Sequence, residues 1–68
     1  MENRSNGFYV NEIEKWEAVE NLRMEGYAPS EIQRAIAVVL NNNSEFQTAN
    51  YYYGFEHCVR TVLERGRY

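Results

Sequence analysis

The sequence predicts an all-α fold: a small three-helix bundle, or a helical hairpin plus a third helix, with dimerisation available to complete it. Three observations carry that expectation. Ile32, Ala35, Ile36, Val39 and Leu40 recur at i, i+3, i+4, i+7 and i+8, the spacing that lines one face of an α-helix. Thr48, Tyr51, Tyr52, Phe55, Cys58, Val59, Val62 and Leu63 form a second stripe with three-four alternation. Phe8-Tyr9-Val10 is β-prone, but no second strand candidate is there to pair with it.

Residues 1–7, MENRSNG, are polar and end in the turn-forming pair Asn6-Gly7, so they read as a flexible leader. Residues 8–68 read as one helical domain. Phe8-Tyr9-Val10 is expected to plug the end of the bundle. The first helix is expected over 11–25. Asn11 is its N-cap, Glu12 and Glu14 complement the helix dipole, and Glu14 has the spacing of the acidic half of a capping box. Ile13, Trp16, Val19 and Leu22 recur every three residues, and Met24 returns near Ile13. Such spacing drifts around the axis, which predicts a wide apolar arc touching two neighbours. Glu20 and Arg23 interrupt it and are placed to pair. Gly26 supplies the stop, with Tyr27 as the apolar contact beyond the cap.

The second helix is expected over 29–41, with Pro29 in the first position or Ser30 as the cap. The Asn41-Asn42-Asn43 run ends it. The third is expected over 45–65, opened by the Ser44–Gln47 capping box. Gly66 closes it, and Arg60, Arg65 and Arg67 complement its C-terminal dipole. Gly54 falls mid-helix at a cost of about 1 kcal/mol relative to alanine, which predicts a close helix approach or a bend.

Composition narrows the function. A chain of 68 residues buries a small core. With the single Cys58 it has no internal disulfide, and the adjacent His57 and Cys58 lack metal-ligand spacing. No cofactor is expected, and oligomerisation is the supplement left, so a homodimer or other homo-oligomer is expected. The formal charge of −3 disfavours non-specific nucleic-acid binding. No run is long enough for a membrane span or a signal-peptide core, and the free thiol suits a reducing, cytoplasmic setting.

No catalytic constellation emerges. His57 and Cys58 are adjacent, so on a helix their side chains point about 100° apart and do not meet. Cys58 therefore reads as a structural thiol; undiminished activity of Cys58→Ser would dispose of a thiol enzyme. Gly26–Ile32, GYAPSEI, resembles the turn and second-helix start of helix-turn-helix proteins, where a G-x-s-x-x-E-I run recurs. The resemblance covers about a tenth of the chain and implies a DNA-binding transcriptional regulator, with Arg60, Arg65 and Arg67 as its basic support. Here the second helix runs on to Leu40, where that family has a short one, and the third helix is tyrosine-rich. Met24-Glu25-Gly26-Tyr27 is similar to the M-G-F/Y loop of ubiquitin-associated domains, with Glu25 as an extra residue.

Apolar surface beyond the core is the remaining signal. On the expected third helix Phe46, Ala49, Tyr53 and His57 lie away from the main stripe, and on the second helix Ala37 and Val38 do. Such residues mark a partner site. The expectation is a non-enzymatic protein–protein interaction module, a regulator or inhibitor that occludes a partner protein's surface. Small proteins of this style are often encoded by bacteriophages or mobile elements. A coherent basic face would favour DNA instead, and scattered charge would favour a protein partner.

Overall fold

The structure, a computed structural model, describes residues 10–66, apart from the side chain of Asn43. It is all-α. Among the described residues there are four helices: α1 (Glu12–Met24), α2 (Pro29–Asn41), α3 (Asn43–Tyr53) and α4 (Phe55–Arg65). The expected leader and the Phe8-Tyr9 part of the plug lie outside the described residues. Val10 is half-buried and packs against the core.

The Asn11 side chain caps α1, accepting from the Glu14 amide at 2.7 Å. The Glu14 carboxylate does not complete a capping box. Its Oε2 instead lies 3.4 Å from the Phe55 amide, so α1 supplies negative charge to the start of α4. The end of α1 follows expectation. Gly26, at φ 109°, turns the chain; its amide donates to the Arg23 carbonyl at 3.0 Å, and the Tyr27 amide donates to the Leu22 carbonyl at 3.2 Å. These are the two bonds of a Schellman cap, and Tyr27 makes the accompanying apolar contact with the core.

Pro29 opens α2, where its missing amide is no loss, and Glu31 reaches back to the Ala28 amide at 3.3 Å. The joint to α3 is the single residue Asn42. Its side chain donates to the Val38 carbonyl at 2.8 Å, closing α2, while its own carbonyl accepts from the Glu45 and Phe46 amides, opening α3. Thus α3 begins at Asn43 and does not use Ser44 as its cap.

The expected third helix is two helices. Gly54 adopts φ 95°, ψ 168°, a conformation essentially restricted to glycine. A Cβ there would meet nothing within 4 Å, so backbone conformation, not close packing, calls for glycine. At about 100° per residue, Phe46 and Ala49 would lie roughly opposite the Phe55–Val62 stripe on a continuous helix. The break reverses that relation, and both helices turn these residues inward. Phe46, expected on an outer face, is buried, whereas Thr48, Tyr51 and Tyr52, expected in the core, are exposed.

The core joins Ala18 and Leu22 of α1, Ile32, Ala35, Ile36 and Val39 of α2, Phe46 of α3, and Phe55, Cys58, Val59 and Val62 of α4. Burying an aliphatic or phenyl side chain of this size contributes about 1.5–3 kcal/mol. Both α2 and α4 touch every other helix, while α1 and α3 flank them without touching each other. The predicted centrality of α2 is thus shared with α4. Of α1's expected arc only Leu22 is fully buried and Val19 half-buried; Ile13, Trp16 and Met24 face outward. A three-residue step drifts about 60° each time, so four such residues fan across half the helix. One packed face, centred near Ala18 and Leu22, takes only part of the fan.

Candidate functional site

The exposed rings gather where α3 meets α4. Tyr51, Tyr52 and Tyr53 close α3, and Gly54 ends it before the rings can wrap into the core. Consecutive positions are about 100° apart, so three adjacent rings cannot share one buried face. In consequence Tyr51 is 81% exposed, Tyr52 70% and Tyr53 68%.

The rings support one another. Tyr51 and Tyr52 meet edge to face, with centroids 5.0 Å apart and planes at 86°. Tyr52 and Tyr53 are 6.4 Å apart. Tyr53 lies 4.8 Å from the His57 ring on the next helix, so the aromatic series crosses the break. These spacings lie within or near the range of favourable aromatic pairs. Beside the rings is a shallow concavity lined by Gln47, Thr48, Asn50, Tyr51 and Tyr52. From Phe46 to Phe55 the sequence has no charged residue. The surface is therefore aromatic, polar and uncharged. Asn50 Oδ1 is buried nearby without a hydrogen-bond partner among the described residues.

The residues singled out from sequence divide. Tyr53 and His57 are exposed and come together. Ala49 and Val38 are half-buried and pack against the core, and Phe46 is within it. Ala37 is exposed on α2. The six therefore do not form one surface. Tyr51 and Tyr52 were missed because the unbroken stripe assigned them to the core. The available signal was Gly54 directly after three consecutive tyrosines.

A second apolar surface lies along α1, where Ile13, Trp16 and Met24 are exposed. Glu17 and Glu20 are their helical neighbours, so carboxylates interrupt it.

Among the described residues, four of the five lysine and arginine side chains face carboxylates, Arg34 being the fifth. Cys58 is fully buried, its thiol donates to the Phe46 carbonyl at 3.8 Å, and burial pushes its pKa up. His57 is exposed. Lys15 lies 3.4 Å from Glu12, Arg23 3.1 Å from Glu20, and Arg65 3.7 Å from Glu45. Arg60 was expected to serve the α4 dipole. It instead binds Glu25 of α1 through two nitrogens and Glu56 at 2.8 Å. Asn21 joins the same group, donating to Glu56 at 2.8 Å. Arg67 lies outside the described residues.

No group of three or more His, Cys, Asp or Glu that could hold a metal ion occurs among the described residues. No helix among them is long and apolar enough to cross a membrane. Fold and surface together define a small all-α domain carrying an exposed tyrosine cluster. No known protein family, curated protein or solved structure matches the chain.

Proposed function

We propose that this is a non-enzymatic protein–protein interaction module whose binding surface is the corner formed by Tyr51, Tyr52, Tyr53 and His57. The carrying observation is the exposure of three consecutive, mutually contacting tyrosines on a stretch without charge. Tyrosine suits such a role. It offers a large contact area and a hydroxyl while losing only two side-chain torsions on binding. The partner is another protein with a weakly charged, partly apolar face, and the module acts as a regulator or inhibitor by covering it. A buried free thiol is compatible with a reducing, cytoplasmic setting.

DNA binding, the rival reading, has less support. Four cationic side chains already face carboxylates, and the net charge is negative.

The test is quantitative affinity capture from the native host with three baits. These are the wild type, the triple Tyr51→Ser/Tyr52→Ser/Tyr53→Ser variant, and a control with Ala37→Ser on α2. Hot-spot tyrosines contribute about 2 kcal/mol each, so a partner retained by wild type and control should fall at least tenfold with the triple variant. Circular dichroism should show unchanged folding, since the altered residues are exposed. Equal capture by all three baits would place the interface elsewhere.

A further inference from the structure

Gly54 separates two stretches that match as one helix. There is no proline from 43 to 65, and the apolar spacing passes through the break in phase, from Thr48, Tyr51 and Tyr52 to Phe55, Cys58, Val59 and Val62. The backbone ladder reaches the break from both sides: the Gly54 amide donates to the Asn50 carbonyl at 3.0 Å, and the Gly54 carbonyl accepts from the Cys58 amide at 3.4 Å. One residue joins α3 to α4, so rotation at Gly54 alone would make them continuous.

Straightening has a definite consequence. In the bent chain α4 packs on its own α1 and α2. A continuous helix carries α4 away from them, because α3 remains tied to α2 through the single residue Asn42. The vacated surface then fits one thing already described: α4 of a second copy, with the same Phe55, Cys58, Val59 and Val62 contacts. The straight helix also places Tyr51 and Tyr52 on the stripe they leave in the bent form. Phe46, Ala49, Tyr53 and His57 fall on its other side, where two such helices can meet.

We propose that Gly54 is the hinge of a two-state element. In one state the chain is the bent four-helix monomer; in the other, residues 43–65 form one helix and two copies exchange α4. The interface gained is the intramolecular one reused, the usual basis of domain swapping. This inference is independent of the tyrosine-corner reading, since it concerns the chain's own second state and is read from molar mass.

The experiment compares three synthetic full-length chains: wild type, Gly54→Ala, and the same position carrying D-alanine. The methyl group of L-alanine has open space at this position, so what Gly54→Ala changes is backbone preference. L-Alanine disfavours φ 95° and favours the continuous helix. For D-alanine the observed angles are the mirror of an ordinary extended conformation. Light scattering should give the D-alanine chain the monomer mass of 8.1 kDa at all concentrations. It should give the L-alanine chain twice that mass, and the wild type should be a monomer whose dimer fraction rises after refolding at millimolar concentration. Isotope-filtered NMR of mixed labelled and unlabelled L-alanine chains should show Val59 and Val62 of one copy against Leu22 and Ile36 of the other. A folded L-alanine monomer, an unfolded L-alanine chain, or a dimer without those contacts would overturn the proposal.

Discussion

Residue 58 shows how a chemically suggestive side chain becomes structural. Cys58 sits on the buried side of α4 between Phe55 and Val62, and its thiol donates to the Phe46 carbonyl. Loss of hydration there favours the neutral thiol, so nucleophilic attack is suppressed twice, by protonation and by burial. We predict that a disulfide reagent at pH 8 labels Cys58 only as fast as the protein opens, and that denaturant accelerates labelling by orders of magnitude. Labelling at the rate of a free thiol in the folded protein would contradict this burial. The structural role of Cys58 was legible, because the stripe in its immediate neighbourhood lies wholly within α4. Phe46 was not legible. Its expected outward position depended on helix phase being carried through Gly54, and a left-handed residue resets that phase.

The helix ends were also largely readable, because each is set by local chemistry. Asn11, the Gly26–Tyr27 pair and Pro29 act on backbone groups within a few residues of themselves. What local reading misses is capping in trans. Glu14 turns to the start of α4, and Glu25 at the end of α1 receives Arg60 from α4. The hydrogen bond from Arg60 is the main cause of a lowered Glu25 pKa, and Arg60 is correspondingly raised. A carboxyl whose folded-state pKa is depressed contributes stability above its unfolded pKa and loses it as pH falls through the folded one. Stability should therefore decline on the acid side of the glutamate range. In Arg60→Gln that limb of the melting temperature against pH should be shallower, and added salt should have less effect. Parallel acid limbs for the two proteins would show that the pair is uncoupled from folding. Both carboxylate and guanidinium remain substantially hydrated, so the effect is modest.

At the scale of the whole molecule, α2 and α4 form the centre and α1 and α3 flank it. The all-α class followed from periodicity alone, since apolar spacing is a property of the sequence. The number and arrangement of helices did not, because they depend on one pair of dihedral angles at Gly54. That break determines the outer surface: it directs Phe46 inward and leaves Tyr51 and Tyr52 outside, while Tyr53 keeps its contact with His57 across it. Tyr51 and Tyr52 thus become candidate contact residues by the same event that removes Phe46 from candidacy. The exposed rings of Tyr51, Tyr52 and Tyr53 are the surface on which the proposed interaction rests.

The most direct test of this account is NMR on the dilute monomer, combining backbone chemical shifts with photochemical polarisation of tyrosine. Carbon shifts should be helical over 43–53 and 55–65 and depart sharply at Gly54. Tyr51, Tyr52 and Tyr53 should polarise strongly, half-buried Tyr27 weakly, and Phe46 should show contacts with Cys58. Unbroken helical shifts from 43 to 65, with the tyrosines shielded and Phe46 in water, would contradict the account.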